Sequence, residues 1–493
     1  MPLCLRFVSF HNFRWVVYFS TWGLLLSLCV IRASFSIANI GQIEKAKKDR
    51  DTTCPEEFVN PDPDIQRYTT MYKWDKTKSE VSIFTFNLGY MLGHYPGTMA
   101  ILAFGTHRVM ICVVFGCTIL TFLSVFTAPY YPLFLVTRIA IGFLSGCMFP
   151  IVNQTATEYA PPKERSVVLM SIHTANLLAC AVVFPWGGFL IENFVNGWKW
   201  IYVSCGGLGL VFGIIWTFSA FSNPMENPFM SKREQNFITT GIYPNGRPPK
   251  MTFANIPHRS ILMDKQLALC SLTHFAKLQI LYLSLLGAVK HINNFFNESP
   301  LKSGLYGVIP FVGESIFQMA YTHLSHYMYR GKVSLLVQRR LNTLIGAFGC
   351  SVFLFGNCFV NCNQVAIGVT LLTLSLMCLA PYQGGYFIGI IERFGRYNGY
   401  AFSIINIFGS LSGVLQRVVV IVLAVIFPDP RVSIRWSFGI TSFISFILSL
   451  PYVFLGDCSR APWVDGQPAK APLVVADNKS PDEHKRESME SAA

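Results

Sequence analysis

Apolar runs of about twenty residues recur along this 493-residue chain, separated by short polar stretches. Each is long enough to cross the roughly 30 Å hydrocarbon core of a bilayer as a helix. Twelve such spans are expected, near residues 13–36, 79–103, 108–128, 132–155, 166–190, 200–222, 268–290, 303–326, 335–357, 364–388, 398–427 and 435–456. Helices are the expected form because each satisfies its own backbone N–H and C=O groups in lipid. The first run is interrupted by Arg32 and lacks a small-residue cleavage site, so it reads as a retained span rather than a signal peptide.

The pattern also divides the chain. The longest polar stretch between spans contains PMENPFMSKREQ and YPNGRPPK, rich in charge and helix breakers. It follows the sixth span and gives a 6 + 6 layout. Residues 1–222 form an N-terminal six-helix half that includes an outer loop at 41–78. Residues 223–265 form a cytoplasmic central loop, and 266–457 a C-terminal six-helix half. The segment 458–493 is polar, with proline and mixed charge, and is expected to be a disordered cytoplasmic tail. Two six-span halves with a site between them near the midplane is a transporter layout.

Composition agrees with a lipid-bilayer protein. The chain is 52% hydrophobic and only 13% charged, against about 25% charged in a typical soluble domain. The side holding both termini collects 22 basic residues and the other side 13, which favours cytoplasmic termini. Eight of those 13 fall in the first outer loop, where eight acids match them. The net charge of +13 is spread over short loops without a compact patch, so nucleic acid is not an expected partner.

Most of the fourteen cysteines lie in apolar runs and read as small hydrophobes. Cys54, and Cys358 with Cys362, are the ones placed for disulfides. Asn297-Glu298-Ser299 is an acceptor sequon weakened by Pro300. No GK[ST] phosphate loop, metal-spaced histidine pair or nucleophile elbow is found, so no enzyme activity, cofactor or metal site is expected.

The informative residues are charges inside the spans. Arg32, Arg138, Lys277 and Arg417 lie deep in apolar runs, and one acid, Glu314, is expected with them. A charge at mid-bilayer costs roughly 2.5–3.5 kcal/mol on insertion scales, and such residues face a protein interior or a wet cavity. A mostly cationic interior points to a small anionic substrate. Glu314 and Arg417 are read either as a structural charge pair, Glu314 pairing with Arg417 or Lys277, or as a relocated coupling group. His94, His173, Tyr90, Tyr282 and Tyr386 are secondary polar candidates. Small residues and prolines at Gly142, Gly146, Pro150, Pro185, Gly409 and Gly413 are read as packing or gating positions, since small residues four apart let helices approach closely and proline removes a backbone donor.

The segment RIAIGFLSGCMFPIVNQTATEYAPPKERS carries Arg138, Gly142, Gly146, Phe149, Pro150, Pro161, Pro162, Glu164, Arg165 and Ser166. With IRASFSIA, FNLGYMLGHYPG, NPMENPFMSKREQNFI and GRYNGYAFSIINIFGSLSG, it resembles the anion:cation symporters of solute carrier family 17. That group holds sialin, the vesicular glutamate transporters and the sodium–phosphate cotransporters, and belongs to the major facilitator superfamily. The resemblance covers residues from about 12 to 465. It implies the twelve-helix facilitator fold and transport of organic anions or phosphate, coupled to protons, sodium or membrane potential. It assigns Arg32, Arg138 and Lys277 to contact with the anion or to gating. Lysine at 277 keeps the charge of the family's arginine but loses its two-pronged donor geometry.

Ile83 stands where glutamate-transporting relatives have a histidine, and Ser145 where they have a glutamate. The layout, the buried cations and the family motifs lead to the expectation of secondary transport of small anions by alternating access, in the plasma membrane or a vesicular or lysosomal membrane. The alternative, motivated by Ile83 and Ser145, is an anion conductance or sensor derived from a transporter.

Overall fold

A computed structural model describes residues 12–43, 65, 68–74, 76–243, 252–329, 333–427 and 429–464. The first half contains span 1 (Arg14–Gln42), span 2 (Lys76–Phe104), span 3 (Thr106–Thr127), span 4 (Tyr131–Tyr159), span 5 (Pro162–Asn193) and span 6 (Gly197–Ser219). The second contains span 7 (Lys265–Phe295), span 8 (Pro300–Tyr329), span 9 (Leu335–Gly356), span 10 (Val365–Phe394), span 11 (Asn398–Ile426) and span 12 (Pro430–Leu455). Ten of these, among the described residues, are long and apolar enough to cross a membrane by length and composition alone. Spans 2 and 8 are as long but more polar. They carry the acids Glu80 and Glu314.

Several spans outrun the sequence reading. Span 1 continues to Gln42 and span 10 to Phe394. The extensions mix apolar residues with polar ones such as the buried Asn39 and Gln42 and the charged Glu392 and Arg393, which end the apolar run in a hydropathy reading. The chain alternates direction at every span. One end of the bundle, here the loop end, therefore carries the connection between spans 1 and 2. The opposite, terminal end carries both chain ends.

Within the first half, spans 2 and 4 touch backbone to backbone. Gly89, Gly93 and Gly97 recur at four-residue spacing on span 2 and face Gly142 and Gly146 on span 4. A Cβ on Gly93 would strike the carbonyl oxygen of Phe143, and one on Gly142 the carbonyl oxygen of Phe86. Helices this close gain dispersion contacts along their whole backbone. The two halves then meet along two seams, span 5 against span 8 and span 2 against span 11.

The terminal end is tied by charges. The central segment forms a helix, Lys232–Ile242, whose N-cap Ser231 accepts from the Glu234 N–H at 3.3 Å. Glu234 turns away and accepts from the backbone N–H groups of Phe13 and Arg14, each at 3.0 Å. A carboxylate there meets the positive end of span 1's dipole. In the second half Arg393 bridges Asp264 at 2.9 Å and Asp457 at 3.2 Å, joining the ends of spans 7, 10 and 12.

Residues 458–464, expected to open a disordered tail, instead pack on the bundle. Ala461 donates its N–H to the Arg393 carbonyl at 3.1 Å, and Trp463 sits 6.1 Å from Phe394, ring to ring. The remaining tail, 465–493, lies outside the described residues.

The glycine contact between spans 2 and 4 generates a stability prediction. Gly93→Ala should lower the melting temperature of the detergent-purified protein, since overpacking costs about 1–3 kcal/mol. Gly207→Ala, where an added Cβ meets nothing within 4 Å, should not lower it. Equal melting temperatures for the two variants would refute the close-contact account.

Candidate functional site

Arg32 lies on span 1, buried at the interface of the halves. Its guanidinium carbon is 5.3 Å from the Tyr90 ring of span 2 and 5.3 Å from the Tyr282 ring of span 7. Each half thus supplies one aromatic face. Among the described residues Arg32 makes no ion pair or hydrogen bond, and its buried Nε has no acceptor. Cation–π contacts of this kind contribute about 0.5–2 kcal/mol each. They soften the cost of the buried charge without neutralising it.

Lys277 and Glu314 lie on the facing spans 7 and 8, each only 5% exposed. They are each other's electrostatic partners, yet no oxygen of Glu314 comes within salt-bridge distance of the Lys277 Nζ. The Lys277 Nζ rides 5.7 Å over the Phe387 ring. The buried Glu314 Oε2 has no hydrogen-bond donor. Cys180 of span 5 lies within electrostatic reach of both Arg32 and Glu314, and Tyr282, which faces Arg32, shares span 7 with Lys277. The packing explains this placement. Phe184 and Phe311 meet across the seam of spans 5 and 8 at 6.1 Å, and Cys180 and Glu314 follow one turn away on their respective helices.

Arg138 is not brought to the same place. It is held inside the first half, 4.3 Å from the Phe35 ring and 5.0 Å from the Phe86 ring, with Tyr202 as its electrostatic neighbour. Phe86 stacks on Tyr90 at 6.2 Å, so a column of rings links Arg138 to Arg32. Ser145 spends its hydroxyl on the carbonyl of Ile141 in its own helix at 2.7 Å, and Ile83 is a buried core residue.

Arg417 corrects the sequence expectation. It does not pair with Glu314. Its Nη1 donates to Glu80 at 3.1 Å and its Nη2 to the Tyr282 carbonyl at 3.1 Å. Both side chains of the ion pair are 3% exposed. The pair crosses from span 2 to span 11 and so joins the halves. Glu80 was missed because it sits next to the polar loop at the start of its run and reads as a boundary residue. Glu314 is therefore not the only acid inside the bundle.

Further along the same seam, Asn87 donates to the Gly413 carbonyl at 3.2 Å. His94 then holds the Gly146 carbonyl at 2.6 Å and the Ser410 hydroxyl at 2.8 Å. Asn406 lies 3.3 Å from the His94 ring, and its Oδ1 lies 3.0 Å from His274, whose other nitrogen is 2.7 Å from the Tyr386 hydroxyl. His274, Asn406 and Ser410 went unnoticed in the sequence. The available signal was spacing, since His274 precedes Lys277 by three residues on one helix face. His173 pairs with Asn153 at 2.7 Å and stacks on Phe149 at 5.8 Å.

The small residues shape this region. Gly409 makes room for the His274 ring and Gly413 for the Tyr282 ring. Gly146 ends the first segment of span 4, and Pro150 falls in the first turn of the second, where a missing N–H costs nothing. Pro185 lies within span 5 at the seam, beside the close approach of Gly304 to the Phe184 carbonyl. Of the disulfide candidates, Cys362 is disulfide-bonded, whereas Cys358 is a free thiol donating to the Arg435 carbonyl at 3.2 Å. Cys54 lies outside the described residues.

Comparison with known proteins agrees with the twelve-span fold. The family model described as Major Facilitator Superfamily matches residues 17–417. Human sialin is 22% identical over 396 residues, covering 79% of this chain and 78% of that protein. Vesicular glutamate transporter 3 of Danio rerio is 21% identical over 399 residues, covering 80% of this chain and 66% of that protein. Among solved structures, the xylose transporter XylE from E. coli, in a partially occluded inward-open conformation, superposes with a TM-score of 0.60. It covers 90% of this chain and 98% of its own, at 14% sequence identity, so it speaks to the fold alone.

The cross-seam ion pair generates a double-mutant test. Removing one partner of a buried pair leaves a naked charge and costs about 3–5 kcal/mol. Glu80→Gln and Arg417→Met alone should each destabilise the protein strongly, and the double variant much less than their sum. Additive losses in melting temperature would show that the two side chains do not interact.

Proposed function

The chain belongs to the major facilitator superfamily, and on that premise we propose that it is a secondary transporter of small organic anions or inorganic phosphate, working by alternating access between its two six-span halves. Its relatives are the anion:cation symporters to which the sequence motifs pointed. The observation that carries the reading is Arg32, a buried cation with no acid partner among the described residues, flanked by one tyrosine from each half. A carboxylate or phosphate group would meet two parallel N–H donors there and a low local dielectric. Lys277 lies in the same central region and adds a second cation. Arg138, linked through Phe86 and Tyr90, would act on access from the loop end. Gly142, Gly146, Pro150, Pro185, Gly409 and Gly413 would set how closely the spans pack and where they bend as the halves move. A proton or sodium ion is the proposed coupling partner. The parts are assigned as residues 1–222 and 266–457 for the rocking halves and 223–265 for the connector.

The proposed orientation places both termini in the cytoplasm. Two observations support it. Basic residues favour the terminal end. The disulfide-bonded Cys362 lies at the loop end, and disulfides persist on the oxidising side of a membrane. The membrane is proposed to be the plasma membrane or that of a vesicle or lysosome. An uncoupled conductance or sensor is the second reading. It rests on Ile83 and on Ser145, whose hydroxyl is spent within its own helix.

Purified protein in liposomes decides between them. Wild type should show trans-stimulated counterflow of labelled anions, which an uncoupled pore does not. Arg32→Ala should abolish counterflow at unchanged expression and melting temperature. Arg138→Ala should likewise abolish uptake. Undiminished counterflow in Arg32→Ala would overturn the assignment of the site.

A further inference from the structure

The charges around the central region do not simply add up to a strongly cationic site. Arg417 is already neutralised by Glu80 at 3.1 Å. Arg138 is enclosed by Phe35 and Phe86 inside the first half. Three charges remain between the halves: Arg32, Lys277 and Glu314. Glu314 is 5% exposed, and the positive group acting on it is Lys277. Span 8 is fixed against span 5 by the Phe184–Phe311 contact and by glycine-close packing at Gly304, so Glu314 is not free to swing out toward lipid. The other polar neighbours of Lys277 are His173, His274 and Cys350, none of them an acid.

We propose that Glu314 is the residue that sets the charge class of the transported anion. By offsetting Lys277 it leaves Arg32, among the described residues, as the cation between the halves that no acid compensates, so the site takes anions of one net negative charge and disfavours dianions. This rests on the transporter reading above and adds the substrate class to it. The reasoning is electrostatic. In a partly buried site a unit charge a few ångströms away is worth tenfold or far more in affinity. A monoanion entering beside Arg32, Lys277 and Glu314 brings the local sum to zero. A dianion leaves one negative charge buried without a partner. The acid also helps explain how a mostly apolar bundle tolerates buried cations on both span 1 and span 7. Each of the three charges has a ring face or an opposite charge beside it before any substrate arrives.

The test uses the full-length protein in liposomes at neutral pH, with glucuronate and glucarate as matched one- and two-charge probes. Counterflow and ligand-induced shift in melting temperature are both read. Wild type should favour glucuronate by about tenfold or more, the least that one unpaired buried charge is worth. Glu314→Gln should lose or invert that preference, because Lys277 is then uncompensated. The double variant Glu314→Gln/Lys277→Met restores the charge sum and should recover the preference for glucuronate, even at a lower rate. Recovery also separates charge selection from misfolding, since a damaged site would not be repaired by a second substitution.

Three results overturn the proposal while leaving the transporter reading in place. One is a wild type that carries both probes equally or prefers glucarate. Another is a Glu314→Gln variant whose preference matches wild type with accumulation intact. The third is a Glu314→Gln variant that keeps the charge preference and loses proton-driven accumulation, which would make the residue a coupling group. If wild type moves and binds neither probe nor any other small anion, the transporter reading fails with it.

Discussion

A charge buried in a low-dielectric bundle must be met by something, and that constraint organises the centre of this protein. Arg417 is met by Glu80, Lys277 by Glu314 and Phe387, Arg138 by Phe35 and Phe86, and Arg32 by two tyrosines. Those partners come from different helices, so satisfying each charge also fixes which spans can be neighbours. Spans 2 and 11 are held together this way. So are the rings that connect Arg138 with Arg32. The glycine contacts of spans 2 and 4 then bring Phe86 and Tyr90 close enough to serve. Dispersion sets the distances, and electrostatics sets which side chains face inward.

The fold was largely legible because membrane solubility writes itself into hydropathy. Twelve spans, two halves and the break after span 6 follow from run length alone. The errors share one cause. Asn39 and Gln42 are polar residues at the end of an apolar run, which a hydropathy reading assigns to a loop, and Glu80, at the first turn of its run, reads as a boundary residue. In the structure they are inside, and helix neighbours meet Asn39 Oδ1 and Glu80, while the Gln42 side-chain amide has no hydrogen-bond partner among the described residues. Ser79, for example, donates to Asn39 at 2.6 Å. The short packed stretch 458–464 was misread for a similar reason, since its anchors are single residues such as Trp463 rather than a periodic pattern.

The site was legible in its charges and not in their pairing. Arg32, Lys277 and Glu314 stand out because ions are rare in apolar runs. Sequence gives no distance between residues hundreds of positions apart, so Glu314 was left open to Arg417 or Lys277 and the true partner of Arg417, Glu80, was not considered. The histidine–asparagine chain was invisible for a different reason. His94, His274, Asn406 and Ser410 are ordinary polar residues singly, and only the crossing of spans 2, 7 and 11 makes them one network.

The seam of spans 2 and 11 carries bonds along its whole length, with Glu80–Arg417 toward the loop end, Asn87–Gly413 in the middle and His94–Ser410 toward the terminal end. A rocking motion about the middle cannot stretch all three at once. It pulls apart one end while the other closes, and the central bond acts as the pivot. The two ends are not equivalent. Parting two ions requires that each be rehydrated, whereas parting a histidine from a serine requires only that a neutral donor and acceptor be replaced. In such a carrier the loop-end face opens only as fast as water can wet it. Wetting that one ion pair is then a cost of opening the loop-end face that the histidine end does not carry.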